Sequence, residues 1–484
     1  MAGDHRSRLQ QGAGTGALLF ATTIALVAVV GASLVRFPFG ASAASELAAA
    51  EPSARPTEVS SATLTGSTRS VMPSPSPTAT HALRIATRPR GARVEITQAG
   101  SQRVVARGTA PFTARVPEGR VEVRTTLDGH EPRRERLTVT GDRRHTWWLS
   151  PRGQLHDKVT QFATGRAPAQ VTFSPDDRHL WVALADGAGV EVYRPRSGRR
   201  LARIGLDGGG AAELTFSADG DTVYASQPDS GQVFEIDAGS LQVRRRLATG
   251  GSATQDVALS PDGGTLYAAD AAGDDVAVID LASGAVERTI PVAATPRGLH
   301  ATAAALYVTG FRDGELQRIA LDSGHATTLT ATGGAMRHLA ADERRERLYA
   351  SDMGTDTVFV HELDGDGVAA LATTDHKPNS IALGAGGRVL YVANRGANNP
   401  DDFRLPGPER GSVLALDART GTPLDAIVGG DQTTGLDVSG DGRLLAFSDL
   451  LDDRVQVYEV PRHQALLAGD GGRAGAHRDD LVKD

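Results

Sequence analysis

Residues 259–270 read LSPDGGTLYAAD, and variants of this sequence recur along the chain. It contains a Ser-Pro-Asp-Gly turn at residues 260–263, followed by an apolar–aromatic–small strand that begins at Leu266. Copies of this strand begin at Leu180, Val223, Leu266, Leu306, Leu348, Leu390 and Leu445. Successive copies are separated by 43, 43, 40, 42, 42 and 55 residues. A period of this length predicts one repetitive architecture rather than a string of unrelated domains.

Each repeat carries signals for four short strands. A shorter strand precedes the turn, the aromatic strand follows it, and an alternating strand such as residues 276–279 comes next. A fourth strand ends in a Leu-Ala-Thr-Gly motif at residues 247–250. Four strands per repeat are typical of a propeller blade, so residues 155–461 are predicted to form an all-β, seven-bladed β-propeller.

The ring is expected to close through its N-terminal strand. A Phe-Ala-Thr-Gly copy of the fourth-strand ending lies at residues 162–165, before the first repeat. The seventh repeat reaches Pro461 without a fourth strand of its own. We therefore predict that the strand at residues 158–165 completes the last blade and removes an exposed sheet edge.

The repeats resemble the YVTN family of bacterial propellers. Residues 391–394 read Tyr-Val-Ala-Asn, and the Ser-Pro-Asp-Gly turn is typical of that family. The resemblance implies the propeller fold over most of residues 155–461. It implies little about function, because the same ring hosts lactone hydrolases, haem and quinone oxidoreductases and pure binding proteins.

Composition narrows the chemistry further. The 484 residues include 56 Gly and only 5% aromatics, which predicts many turns and cores of Val, Leu and Ala. The absence of cysteine excludes a disulfide framework, a thiol nucleophile and a covalently attached haem. The net charge of -7 is unevenly distributed along the chain. Residues 81–150 carry a net +7 with 14 Arg, and residues 151–484 carry a net -15.

An apolar segment precedes the folded regions. Residues 16–35 contain no charge, and at about 1.5 Å per residue they would span a bilayer core. We expect residues 1–15 to be a cytoplasmic tail and residues 16–36 a single-pass anchor in the bacterial inner membrane, with the bulk of the chain outside the cytoplasm. The alternative is a signal sequence cleaved near Ala43, which would make the protein secreted.

Between the anchor and the propeller we predict a linker and a small domain. Residues 37–80 are rich in Pro, Ser and Thr, as in a disordered tether. Residues 81–150 contain short alternating runs separated by glycines, which predicts a small antiparallel β domain.

This segment resembles the PEGA domain family through residues 89–94 (PRGARV), 109–112 (TAPF), 117–119 (PEG) and 128–132 (DGHEP), which occur in the family's order. The resemblance implies an extracytoplasmic accessory domain without catalytic residues. The 14 arginines are interpreted either as a surface for anionic wall polymer or phospholipid headgroups, or as ordinary solvated strand faces.

Candidate site residues lie where the loops of all blades converge at the channel mouth. The position after each aromatic strand forms a first ring, whose polar members are Gln227, Asp270, Asp352, Asn394 and Asp449. These oxygens would suit a polar ligand or a divalent cation such as Ca²⁺. The alternative is that each side chain hydrogen-bonds its own loop, which is the usual role of Asp and Asn at strand ends.

The connections that enter the blades supply a second ring. Its members are Gln170, Glu213, Gln255, Arg297, Arg337, His338, His376, Lys377 and Gln432. The cations Arg297, Arg337 and Lys377 would clamp a carboxylate or phosphate, or would neutralise the first ring. The longest repeat spacing also predicts a long loop at residues 397–409. It is interpreted either as a plain solvated insertion or as another candidate Ca²⁺ position formed by Asn398, Asn399, Asp401 and Asp402, although their spacing does not match an EF-hand.

No common catalytic motif accompanies these rings: G-x-S-x-G, H-E-x-x-H and the phosphate-binding P-loop are all absent from the sequence. We therefore predict a monomeric, non-catalytic binding or scaffold protein of the bacterial envelope, with no identified cofactor beyond that cation. Its partner would be an envelope protein, a glycan or a small ligand, and no nucleic acid is expected. The alternative function is a lactonase-like hydrolase with its site at the channel mouth. Residues 462–484 are polar and Gly-rich and are predicted to be a flexible tail.

Overall fold

The computed structural model of the chain describes residues 79–101, 103–187, 189–469 and 472–483. The predicted cytoplasmic tail, the anchor at residues 16–36 and almost all of the linker lie outside these residues. Within the described ranges, no helix is long and apolar enough to cross a membrane. One short helix, α1 (His463–Ala468), and three 3₁₀ turns (Glu343–Arg345, Leu450–Asp452 and Ala476–Asp480) accompany an otherwise all-β structure.

The first seven strands form the small β domain. They are β1 (Thr80–Arg88), β2 (Arg93–Gln98), β3 (Val104–Thr109), β4 (Phe112–Pro117), β5 (Gly119–Thr126), β6 (Arg133–Val139) and β7 (Arg143–Trp148). A three-stranded sheet has the order β4-β1-β7, and a four-stranded sheet has the order β3-β2-β5-β6. Inward side chains such as Leu83, Ile85, Val123 and Trp147 belong to one buried cluster. The period-2 alternation of the strands therefore gives each sheet one buried and one solvated face.

One part of the sequence prediction for this domain needs correction. The domain was expected to be antiparallel, but β1 and β7 pair in parallel, with Leu83 opposite Arg143 and Arg88 opposite Trp148. Glycine turns fix the direction only of strands that they join directly, and five other strands separate β1 from β7. The other pairings of this domain are antiparallel.

The remaining strands form seven four-stranded sheets. Strand β8 (Asp157–Ala163) comes first along the chain. Sheet 1 contains β9 (Pro168–Phe173), β10 (Leu180–Leu184), β11 (Gly189–Arg194) and β12 (Arg199–Ile204). Sheet 2 contains β13 (Leu214–Phe216), β14 (Thr222–Gln227), β15 (Gln232–Asp237) and β16 (Gln242–Ala248). Sheet 3 contains β17 (Thr254–Leu259), β18 (Thr265–Asp270), β19 (Asp275–Asp280) and β20 (Ala285–Pro291).

The later sheets repeat this arrangement. Sheet 4 contains β21 (Pro296–Ala301), β22 (Ala305–Gly310), β23 (Glu315–Ala320) and β24 (Ala326–Ala331). Sheet 5 contains β25 (Met336–Asp342), β26 (Arg347–Asp352), β27 (Thr357–Glu362) and β28 (Val368–Thr373). Sheet 6 contains β29 (Pro378–Gly384), β30 (Val389–Asn394), β31 (Ser412–Asp417) and β32 (Pro423–Val428). Sheet 7 contains β33 (Thr433–Val438), β34 (Leu444–Asp449) and β35 (Arg454–Glu459), and β8 is its fourth strand.

The repeated turn explains why each sheet begins as it does. In the copy at residues 260–263, the Ser260 hydroxyl donates to Asp262 Oδ1 (2.5 Å) and accepts from the Thr265 N–H (2.9 Å). Gly263 adopts φ +71°, a backbone conformation that would be strained for a residue with a side chain. These interactions place the first two strands of the sheet in antiparallel register, and the aromatic strand that follows the turn is almost wholly buried.

The first strands of the sheets lie side by side around the centre of this region. Each of them contacts the first strand of the next sheet, and β33 contacts β9. Polar side chains bridge neighbouring strands: Asp256 Oδ2 accepts the Leu299 N–H (2.7 Å), and Asp437 Oδ2 accepts the Phe173 N–H (2.8 Å). The chain therefore has an all-β, propeller-like fold whose innermost strands hold a polar ring.

Sheet 7 joins the beginning and the end of the region. Strand β8 pairs antiparallel with β35, with Phe162 opposite Val455. The carboxylate of Asp177, on the turn between β9 and β10, accepts the Gly440 and Asp441 N–H groups at 2.6 and 2.8 Å. The strand that the sequence assigned to this position thus adds a fourth strand to the last sheet.

The C-terminal segment has defined partners in the structure, unlike the flexible tail expected from its composition. Leu466 of α1 is fully buried in the apolar cluster shared by sheets 6 and 7. His477 Nε2 lies 2.7 Å from Asp375 Oδ2, and the Arg410 N–H donates to the Leu481 carbonyl at 2.7 Å. The three leucines and two histidines of residues 462–484 are scattered among polar residues and glycines, a pattern too weak to predict these contacts.

Candidate functional site

The first predicted ring is buried. Its polar members, Gln227, Asp270, Asp352, Asn394 and Asp449, are each 3% exposed or less at the end of the second strand of their sheets. The three carboxylates accept backbone N–H groups of flanking loops at 2.7–3.0 Å. The donors are Ser252, Ala253 and Ala272 for Asp270, Ala335 and Gly354 for Asp352, and Gly430 for Asp449. These carboxylates are thus engaged by the protein's own loops.

The two amides of this ring differ in how well they are satisfied. Gln227 Oε1 accepts the Ser230 hydroxyl (2.5 Å), which ties it to the following turn. Asn394 Nδ2 donates to Ser412 Oγ (3.1 Å), whereas its Oδ1 is buried without a partner among the described residues. Asn394 therefore retains one unused acceptor at the end of β30.

The second predicted ring is where the structure brings residues together. Gln170 Nε2 donates to Glu213 Oε1 at 2.5 Å, which links sheets 1 and 2. Arg297 Nη1 donates to Gln255 Oε1, which links sheets 4 and 3. Residues that are distant in sequence but alike in their position within the repeat thus meet between neighbouring sheets.

The same ring continues through sheets 5, 6 and 7. Arg337 Nε donates to Asn379 Oδ1 (3.1 Å), and Asn379 Nδ2 donates to the Thr434 carbonyl (3.2 Å). Asn379 and Thr434 are buried, and Arg337 is partly buried. This chain of hydrogen bonds fixes the Arg337 guanidinium on the axis side of sheet 5.

Three guanidinium groups at this end of the sheets are linked by their effects on one another's pKa. They belong to Arg297 and Arg337, at the starts of β21 and β25, and to Arg395, directly after β30. Burial and then the charges of Arg337 and Arg395 lower the pKa of Arg297 to about 9. Burial and then the charge of Arg337 lower the pKa of Arg395 to about 10. We call Arg297, Arg337 and Arg395 the arginine triad.

The triad has unused hydrogen-bonding capacity. Nε of Arg297 and Nε of Arg395 are buried and have no hydrogen-bond partner among the described residues. Phe311 lies 5.2 Å below the Arg297 guanidinium, which holds that group by a cation–π contact. Buried donors without acceptors are costly, so an acceptor placed between these groups would be strongly stabilising.

Two carboxyl groups face the triad. Burial, and then the charge of Asp256, raise the pKa of Glu213. Burial also raises the pKa of Asp256, and the hydrogen bonds from the Leu299 and Val257 N–H groups and then the charge of Arg337 only partly offset this. A carboxyl with a raised pKa is a weaker counter-ion near neutral pH, so the positive charge of the triad is incompletely balanced.

The remaining predicted cations have other roles, although Lys377 adjoins the triad, since its carbonyl accepts the Arg395 N–H (3.0 Å). Burial and then the charge of Arg337 lower the pKa of His338 to about 3, so its ring is neutral at pH 7. His376 is exposed, and its Nδ1 lies 2.7 Å from Glu409 Oε2 on the long loop. Lys377 has φ +61°, and its backbone N–H donates to Asp356 Oδ1 (2.7 Å).

The long loop at residues 397–409 contains a local turn. Asn399 Oδ1 accepts the N–H groups of Asp401 (2.9 Å) and Asp402 (3.4 Å). Across the part of the chain that the structure describes, no group of three or more His, Asp or Glu side chains is arranged to hold a metal ion.

Sequence reasoning missed two important members of the site. The predicted first ring includes Asn394 but not Arg395, which is the next residue in the sequence. Asn379 lies two residues beyond Lys377, on the strand rather than on the connection. Both residues are recognised by partners on a neighbouring sheet, Gln432 for Arg395 and Arg337 for Asn379, and a single repeat does not contain these contacts.

Comparison with known proteins agrees with this fold. Residues 156–306 match the family described as YNCE-like beta-propeller. Antigen Lp49 of Leptospira interrogans serogroup Icterohaemorrhagiae serovar copenhageni is 38% identical over 126 residues, which are 26% of this chain and 28% of that protein. The chain thus spans less than a third of the length of this curated relative.

A solved structure gives a similar result at the level of fold. A chain of Kuenenia stuttgartiensis Hydrazine Synthase is similar with a TM-score of 0.53 and 18% identity, over 62% of this chain and 98% of that chain. At this identity the likeness concerns the fold alone. Together, these comparisons support a YVTN-type β-propeller.

Proposed function

We propose that this protein is a non-catalytic binding protein whose seven sheets are the blades of a closed propeller, and that it binds a small anionic ligand at the channel mouth. The observation that carries the proposal is the arginine triad, with two buried Nε donors that lack partners. We further propose that residues 16–36 anchor the chain in the inner membrane of a bacterium, so that the propeller works outside the cytoplasm.

Charge explains why the ligand should be an anion. Three cations held close together repel one another, and burial weakens their hydration. A carboxylate or phosphate bound by two or three guanidinium groups would reduce the repulsion between them and replace their lost hydration. Asn379 and Gln432, which orient Arg337 and Arg395, would keep the site preorganised.

The first prediction concerns direct binding. Replacing Arg297 or Arg395 by Gln is expected to weaken binding of citrate or inorganic phosphate about 10- to 100-fold, because each removes a charge-assisted hydrogen bond. Isothermal titration calorimetry of the full chain measures this loss. Arg312→Gln is the matched control, since Arg312 is exposed next to Phe311 and has no ion-pair partner among the described residues.

The pH dependence provides a second readout of the same site. Because the pKa of Arg297 is about 9, the affinity for either anion should fall as the pH rises through that value. Equal affinity in the triad variants and in Arg312→Gln would contradict the anion site. Hydrolysis of a lactone by the purified chain, lost in Arg337→Gln, would instead favour an enzyme.

A further inference from the structure

A cavity of about 330 Å³ lies where the small β domain meets the seven-sheet region. The small domain contributes Arg88, at the end of β1, and Trp148, at the end of β7. Lys158 of β8 and Tyr458 of β35 belong to the seven-sheet region, and Arg473 of the C-terminal segment also lines the cavity. Cavities of about 300–1,000 Å³ at domain interfaces are common ligand sites. We call this space the junction cavity.

Hydrogen bonds hold the two sides of the junction cavity together. The Leu149 N–H donates to the Arg88 carbonyl (2.8 Å), and the Glu131 N–H donates to the Ser150 carbonyl (2.8 Å). The Ser150 hydroxyl in turn donates to Asp157 Oδ1 (2.7 Å), at the start of β8. The segment that connects the two regions is thus bonded to both of them. The cavity is therefore preformed, which lowers the cost of ordering it around a ligand.

The charged side chains of the junction cavity are all basic. They are Arg88, Lys158 and Arg473, and the remaining imidazole is that of His130. Four other cavities in the described part of the chain each include at least one carboxylate in their lining, such as Glu95, Glu131, Glu362 and Asp186. The junction cavity is thus distinguished from these four by the absence of acids from its lining.

Lys158 lies in this cavity without a counter-ion. Its Nζ is 4.7 Å from the centre of the Trp148 ring and 5.3 Å from that of the Tyr458 ring. Among the residues that the structure describes, its hydrogen-bond partner is the neutral Gln161 Oε1 (3.3 Å). An ammonium carries three donors, and ring faces attract the charge without removing it. Lys158 therefore retains hydrogen-bonding capacity for an anion.

The two arginines of the cavity differ in their partners. The Arg88 guanidinium lies over the same Trp148 ring, 5.1 Å from its centre, and forms no salt bridge within the described ranges. Arg473 is paired with Asp480. Arg88 and Lys158 are thus two cations that contact one ring and lack carboxylate partners.

We propose that the junction cavity binds a small organic anion, in which a phosphate or carboxylate is attached to an apolar group. Arg88 and Lys158 would bind the anionic group, because guanidinium and ammonium donors form charge-assisted hydrogen bonds with such oxygens. The apolar group would contact Leu149 and Val428, which also line the cavity. This site goes beyond the proposed function and does not rest on it, since no member of the arginine triad lines the junction cavity.

The sequence contains only three lysines, Lys158, Lys377 and Lys483, so labelling of amines can be assigned to each of them. Burial lowers the pKa of Lys158 to about 8, with the charge of Asp449 opposing this effect and that of Arg454 adding to it. The full chain is treated with pyridoxal 5′-phosphate or with its phosphate-free analogue pyridoxal. The imines are reduced with borohydride, and the labelled lysines are identified by mass spectrometry.

The measured quantity is the ratio of labelling by pyridoxal 5′-phosphate to labelling by pyridoxal at each lysine. We expect this ratio to be at least about tenfold higher at Lys158 than at Lys483, because the phosphate would gain charge-assisted hydrogen bonds in the cavity. Phenyl phosphate should suppress the labelling of Lys158 by competition. Equal ratios at the two lysines, or labelling of Lys158 that phenyl phosphate does not suppress, would overturn the proposal.

Variants of an exposed arginine test the counter-ion directly. Arg88→Gln should lower the ratio at Lys158 about tenfold, and Arg88→Lys should retain most of it. Arg84→Gln is the matched control, since Arg84 is exposed on the same strand but does not line the cavity. An unchanged ratio in Arg88→Gln would contradict the site. Phosphate-dependent labelling of Lys377 alone would also contradict it and would place the anion at the arginine triad, which Lys377 adjoins.

Discussion

Replacing Asp425 by alanine is expected to lower the free energy of unfolding by about 3–5 kcal/mol, because it leaves buried donors without their acceptor. Asp425 and His156 are fully buried, and His156 Nδ1 lies 2.7 Å from Asp425 Oδ2. The same carboxylate accepts the N–H groups of Leu155 (2.8 Å) and Arg473 (3.0 Å). One side chain of sheet 6 therefore joins the segment that enters β8 to the C-terminal segment.

Urea unfolding at neutral pH measures this effect. Asp401→Ala is the control, since Asp401 is exposed on the long loop and its change should cost less than about 0.5 kcal/mol. Burial alone would raise the pKa of Asp425, but the interactions with His156 and the hydrogen bonds from the Arg473 and Ala426 N–H groups together more than offset it, and the net pKa is lowered. The contribution should therefore be present at neutral pH and lost in acid. A loss below about 1 kcal/mol would mean that the C-terminal segment is held by other contacts.

The repeat pattern predicted the strands because the same residues specify them locally. Tyr391 belongs to an aromatic strand recognised from the sequence, and that strand is β30. In another repeat, the Ser260 and Asp262 side chains hold the turn before β18 by bonds that span only a few residues. Interactions of such short range are legible in a single sequence.

The site was harder to predict because its members meet only in three dimensions. Asp270 and Arg297 were equally plausible ligand residues, yet Asp270 is engaged by loop N–H groups and Arg297 retains a free donor. Residue type at a strand end does not distinguish these roles. Gln170 and Glu213 were placed in one ring correctly, but only the neighbouring sheet could show that they are bonded to each other.

In the wild-type chain, ionisation of Asp437 should lower the free energy of unfolding as the pH rises. Replacing Asp437 by asparagine is expected to abolish this decrease. Asp437 lies on the innermost strand of sheet 7, and burial raises its pKa to about 7 despite hydrogen bonds from the Phe173 and Val438 N–H groups. The nearby charge of Asp177 acts in the same direction. The folded chain therefore binds a proton at Asp437 more tightly than the unfolded chain, whose carboxyl titrates near 3.8.

The sign follows from this difference: the contribution of Asp437 to stability is greatest below about pH 4 and is lost as the pH rises through about 7. The shift corresponds to at most about 4 kcal/mol, and partial access of solvent to the inner strands reduces the expected loss to about 2 kcal/mol. Urea unfolding of wild type and Asp437→Asn across this range isolates the contribution, since Glu213 and Asp256 titrate in both. A difference between the two chains that stays constant with pH would mean that the backbone donors, rather than burial, control this carboxyl. Because Asp437 bridges sheet 7 to sheet 1, that result would also change the account of how the last and first sheets are held together.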